Sequence, residues 1–123
     1  PQDIALLDAK KGVEMFRKVH IPVLGVVENM ATHICSQCGH QEAIFGVDGG
    51  KKLAEQYQVD VLGQLPLQLA IRELTDQGKP PVFENPESEV SKTYRTVARK
   101  MAASLWEQSL KGQQGPTIAF SDD

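Results

Sequence analysis

The sequence predicts an α/β protein, the C-terminal half of a doubly wound parallel sheet, and two observations carry that reading. Residues 23–27 (Val-Leu-Gly-Val-Val) form a short apolar run, and 59–65 form a second, as expected of strands covered on both faces. Around and between them lie segments whose apolar residues recur at helical spacing, and helix, strand, helix, strand, helix is the order of parallel strands joined by crossover helices.

The first helix starts at Asp3, a capping residue type, and places Ile4, Leu7, Val13 and Phe16 near helical spacing until His20-Ile21-Pro22 ends it. After the strand at 23–27, a loop runs from Glu28 to Asp48. A short helix then occupies 49–57, entered through Gly49-Gly50. The second strand covers 59–65 and Pro66 closes it; 69–74 is a short helix, and Gly78-Lys79-Pro80-Pro81 is a turn that cannot continue it. An extended linker to Asn85 should follow. Pro86 suits a first helical position, and Val90, Tyr94, Val97, Met101 and Leu105 at steps of three and four extend an amphipathic helix to about residue 110. Trp106 belongs to that helix as packing or interface. Residues 111–123, rich in Gly, Gln and Ser with an acidic end, read as a flexible tail beyond a domain at 1–110. Two parallel strands cannot cover their own faces and edges, and the chain opens on Pro1 as though a strand preceded it. The remaining strands are therefore expected upstream in a longer protein.

The 123 residues are 41% hydrophobic and 24% charged, as in an ordinary globular domain, and the formal net charge is −3. No Lys/Arg cluster offers the basic surface that nucleic acid requires. No apolar run approaches the roughly 20 residues of a membrane span, so the expected location is the cytoplasm.

The chemistry centres on Cys35-Ser-Gln-Cys38, whose cysteines are the only two in the chain. That spacing brings two thiolates within reach of one soft metal, whereas a tetrahedral thiolate site needs four ligands. His33 and His40 extend the pattern to His-x-Cys-x-x-Cys-x-His, but four donors from eight consecutive residues would strain the backbone, so one histidine at most can join. Two copies of the pair facing each other across a two-fold axis complete four thiolates, which predicts a shared metal or iron-sulfur centre in a homodimer. Competing readings are a redox dithiol, half of a zinc ribbon, and a zinc-stapled interaction module in which Zn fixes the 31–45 loop and the last helix binds a partner.

Taken together, Pro1-Gln2-Asp3-Ile4-Ala5-Leu6, Gly25-Val26-Val27-Glu28-Asn29-Met30, Cys35 to His40, Ile44-Phe45-Gly46 and Leu62-Gly63-Gln64-Leu65-Pro66-Leu67 resemble the C-terminal part of the Mrp (ApbC-like) iron-sulfur carrier ATPases. The resemblance covers roughly residues 1 to 110. It implies a P-loop NTPase fold with a deviant Walker A loop, related to the septum-site and partition ATPases. It also implies a homodimer that holds a [4Fe-4S] cluster between paired CxxC motifs and delivers it to apo iron-sulfur proteins. Cys35 and Cys38 are then the metal ligands.

A phosphate-binding loop of the G-x-x-x-x-G-K-[ST] type is absent from these residues. Gly46-Val-Asp-Gly-Gly50-Lys51-Lys52 is one residue short between its outer glycines and reads as a helix entry. In the resembled family the phosphate loop and magnesium-binding aspartate lie N-terminal to the matched region. ATP and Mg therefore belong to the full-length protein, and the fragment alone should not hydrolyse ATP. By the same resemblance, Asn29 and the segment Pro66, Leu67 and Gln68 line the adenine pocket, although many relatives have an aspartate where Gln68 stands. From the residues alone, Asn29 can equally cap a loop through its own backbone.

Overall fold

Helix α1 (Asp3–Lys18) opens the computed structural model, which describes residues 1–112. Asp3 is its first helical residue and not its cap. Gln2 holds the cap position without a side-chain bond, while the Asp3 carboxylate still meets the positive end of the helix dipole. The helix stops because His20 adopts left-handed backbone at φ 58° ahead of Pro22.

Strand β1 (Gly25–Glu28) leads into two short strands, β2 (His33–Ile34) and β3 (Gln41–Glu42), which pair antiparallel. Helix α2 (Gly49–Tyr57) then crosses back to β4 (Asp60–Gln64), which runs parallel to β1. The register pairs Gly25 with Asp60 and Val26 with Val61, slips at a bulge, and resumes with Val27 opposite Gly63 and Glu28 opposite Gln64.

Burial follows from what packs on each face. Val13 of α1 and Leu53 and Tyr57 of α2 form the core, with Val23, Val26 and Val59 against them. Burying an aliphatic side chain such as Val13 or Leu53 contributes about 1.5–3 kcal/mol. The Tyr57 hydroxyl donates to Glu14 at 2.9 Å, and the Arg17 guanidinium stands 5.0 Å over the Tyr57 ring while donating to the Tyr57 carbonyl. Gly25 is required by close approach, since a Cβ there would lie 2.7 Å from both the Asp60 carbonyl oxygen and Leu62 Cγ.

The other side is covered by α5 (Glu89–Lys111), reached through α3 (Leu69–Asp76) and α4 (Pro81–Glu84). A Cβ on Gly63 would fall 2.5 Å from Val97 Cγ2, so glycine lets α5 lie close on β4. Because α5 packs over β4, Val27 keeps 40% exposure, and the expected burial of β1 on both faces is not met among the described residues.

Two local expectations need correction. The stretch before Asn85 is not extended: Pro81 starts the single turn α4, since proline suits a first helical position. Helix α5 begins at Glu89 rather than Pro86, because Ser88 caps it by accepting the Ser91 amide. Fully buried Ser91 in turn donates to the Pro81 carbonyl at 2.8 Å, locking α4 to α5. The apolar stripe of α5 is buried only in part, because Met101, Leu105 and Trp106 stay exposed. Lys111 is helical, and the expected tail lies, from residue 113, outside the described residues. No helix of the described residues is long and apolar enough to cross a membrane.

Candidate metal centre

Pairing of His33 with Glu42 and Ile34 with Gln41 makes the 29–48 loop a hairpin, and Cys35 to Cys38 form its tip. The Cys35 amide donates to the His40 carbonyl and the Gly39 amide to the Cys35 carbonyl, both at 2.9 Å. Gly39 closes this turn at φ 71°, a conformation that glycine adopts without steric cost. Cys35 is half-buried, Cys38 is exposed, and both are free thiols.

The turn directs hydrogen-bond donors at one sulfur. The backbone amides of Cys38 and then Gln37, with the Cys38 side chain, hold the Cys35 thiol below the ordinary cysteine range, against the opposing effects of burial and Glu42. Thiolate is the form that binds metal, so two adjacent thiols with amides aimed at one of them suit a soft ion or an iron-sulfur cluster.

Neither histidine joins them. His33 Nδ1 is buried, makes no hydrogen bond, and lies 3.5 Å from Glu42 Oε1 across the hairpin. His40 is exposed and contributes its carbonyl. Among the described residues no three His, Cys, Asp or Glu side chains converge to hold an ion.

Main-chain bonds attach the hairpin to the segment after β4. The Leu65 amide donates to the Glu28 carbonyl at 2.8 Å, and the Ala31 amide to the Leu65 carbonyl at 3.0 Å. The Leu67 amide donates to the Thr32 carbonyl at 2.9 Å, and the Ile34 amide to the Leu67 carbonyl at 3.1 Å. Residues 66–68 and Asn29 therefore share the carboxyl end of the two parallel strands, where open α/β sheets bind ligands. Asn29 is exposed, and its Oδ1 accepts the Met30 amide at 2.9 Å, the local backbone cap that its residue type allows. Asn29 lines a cleft with Val26, Phe45 and Leu53, whereas Gln68 lines a different one with Ile71, Leu74 and Val90.

The glycine run at 46–52 enters α2, with Asp48 in left-handed backbone at φ 59° and Gly49 and Gly50 buried. The Gly50 amide donates to the Glu28 carboxylate, so an anion of the protein itself occupies this helix start. Glu28 was not legible as a site residue. It is only 6% exposed, and its Oε1 accepts the Gln64 side-chain amide at 2.9 Å. The one available signal was a charge closing an apolar run.

The family model described as NUBPL iron-transfer P-loop NTPase (ParA) matches residues 1–102. The chain is 57% identical over 108 residues to an iron-sulfur cluster carrier protein of Escherichia coli strain K12, covering 88% of this chain and 29% of that one. It is 63% identical over 98 residues to a protein of the same name from Pseudomonas fragi, covering 80% and 34%. To mouse iron-sulfur cluster transfer protein NUBPL it is 52% identical over 105 residues, covering 85% and 33%. The chain thus spans about a third of the length of these relatives, and its cysteine hairpin and parallel strands lie within the residues that the family model matches. The chain belongs to the NUBPL iron-transfer P-loop NTPase family.

Proposed function

We propose that this chain is the cysteine-bearing part of an iron-sulfur cluster carrier. Cys35 and Cys38 hold a [4Fe-4S] cluster as cargo, with a second copy supplying two more thiolates across a homodimer axis. The observation that carries the reading is the hairpin tip: two free thiols side by side, one favoured as thiolate, with no third donor within reach among the described residues. Two thiols need ligands from elsewhere, and the exposed Cys38 leaves a rim where a recipient thiol can attack, so cargo can pass to apo iron-sulfur proteins by thiolate exchange.

In this reading residues 1–110 are the C-terminal part of a doubly wound P-loop domain with a deviant Walker A loop, working in the cytoplasm. ATP and Mg act in the full-length protein. Asn29, Pro66, Leu67 and Gln68 form the base end of the nucleotide site, supported by their common position at the carboxyl end of β1 and β4. Backbone bonds from Leu65 and Leu67 to the hairpin give nucleotide binding a route to the cargo site.

Anaerobic reconstitution with iron and sulfide tests the proposal, read by visible absorption, iron, sulfide and zinc per chain, and mass in solution. A brown dimer whose colour is lost in Cys35→Ser and Cys38→Ser, with the fold intact, is the expected result. A colourless protein holding one zinc per chain would overturn it in favour of a zinc-stapled interaction module.

A further inference from the structure

We propose that Glu28 is a positioning residue for the cysteine hairpin: its buried carboxylate closes the base of the 29–48 loop and so fixes where Cys35 and Cys38 stand. The functional meaning rests on the carrier reading above; the geometry does not.

Glu28 is the last residue of β1, and the loop leaves from it. Its Oε2 accepts the amide of Gly50, 22 residues on, at the second position of α2 where the loop returns. Its Oε1 accepts the Gln64 side-chain amide at 2.9 Å, and its main-chain carbonyl accepts the Leu65 amide at 2.8 Å. One residue therefore joins the exit of the loop, its return and the end of the neighbouring strand.

A carboxylate only 6% exposed persists only if hydrogen bonds replace water, and here two side-chain acceptor bonds and a helix N-terminus do so. Gly50 is shaped for this contact, since a Cβ there would stand 2.8 Å from Glu28 Oε2. Just inside the tie, Met30 (φ 55°) and Asp48 (φ 59°) hold left-handed backbone. Asp adopts that conformation readily, whereas a Met keeps it only where its surroundings over-determine it. The Glu28 bonds lie within two residues of both positions, at the two borders of the loop.

Glu28→Ala, Glu28→Gln and Gln64→Ala test this, with hydrogen exchange measured on the metal-free chain and cluster release to a chelator on the reconstituted one. In Glu28→Ala, amides in 29–48 should exchange at least about tenfold faster while those of α1 and α5 are unchanged, as for a local opening that loses the side-chain bonds to both Gly50 and Gln64. Cluster release should quicken by a similar factor, and the sulfur-to-iron absorption band should shift. Glu28→Gln keeps an acceptor for Gly50 while its own Nε2 faces the Gln64 amide donor, so exchange and release should fall between those of the wild type and Glu28→Ala. If Glu28→Ala does not fold, Gln64→Ala decides: faster exchange confined to Gly50 and 29–48 supports the proposal. Unchanged exchange there, or an increase spread evenly over the chain, overturns it. Failure of the wild type to take a cluster would sink the carrier reading, and the exchange data would still decide the role of Glu28.

Discussion

Leu67 and Thr32 are bonded through their main chains: the Leu67 amide donates to the Thr32 carbonyl at 2.9 Å, and the Leu67 carbonyl takes the Ile34 amide next to it. The cysteine hairpin thus hangs on the segment that leaves β4. Leu67→Pro deletes the donor and orphans the half-buried Thr32 carbonyl, which should cost about 1–3 kcal/mol. Urea unfolding measures the loss, and faster exchange at Ile34 should accompany it. A variant as stable as wild type would mean that the hairpin stands without this ladder.

Cys35 should be the more reactive cysteine in the metal-free protein. Donors from Cys38 and Gln37 favour its thiolate, so its folded pKa lies below its unfolded one. That contribution to stability is present above the unfolded pKa and fades as pH falls through the folded value. Iodoacetamide labelling followed by peptide mass spectrometry should show Cys35 modified before Cys38 near neutral pH. Cys38→Ala should move the Cys35 labelling midpoint upward. Labelling of Cys38 first would contradict the hydrogen-bond geometry of the turn.

Gly63→Ala should destabilise by about 1–3 kcal/mol, because its Cβ would stand 2.5 Å from Val97 Cγ2 and a β-branched side chain on a helix has little freedom to yield. Val97→Ala makes room. The double variant should therefore lose less than the sum of the two single losses, and strict additivity in thermal or urea unfolding would refute the contact.

Alkaline pH should unfold the protein partly through Tyr57. Burial, then the Glu14 hydrogen bond and charge, raise the Tyr57 hydroxyl pKa, with Arg17 pulling the other way. A raised folded pKa stabilises the protein fully below the unfolded value, near pH 10, and that stability is lost as pH rises through the folded one. Tyr57→Phe should flatten the fall of Tm above about pH 10. An unchanged slope would assign the alkaline loss to other groups.

The two parallel strands and α2 were legible because each carries strong punctuation. Gly49-Gly50 opens the helix, whose bounds match the expected 49–57. Pro22 and Pro66 bracket the strands. The hairpin was hidden because Gln41 and Glu42 are exposed and each strand has two residues, too few for an alternation. Pro80-Pro81 reads as a breaker in the sequence although the second proline starts α4, and the Ser88 cap is less conspicuous than Asn85-Pro86. The cysteine pair was plain in the sequence. Glu28, which holds the loop that carries it, was not, since only the fold reveals that a strand-end glutamate is buried against a helix N-terminus.

Left-handed glycine at position 39 also bears on how the hairpin is made. The segment from Cys35 to His40 closes on itself through two short-range backbone bonds, whereas the Glu28–Gly50 contact joins residues 22 apart. Closing the small ring costs little chain entropy, and closing the large one costs more, though only logarithmically with length. The thiol-bearing turn therefore costs less chain entropy to form than the contact that brings β1 to α2.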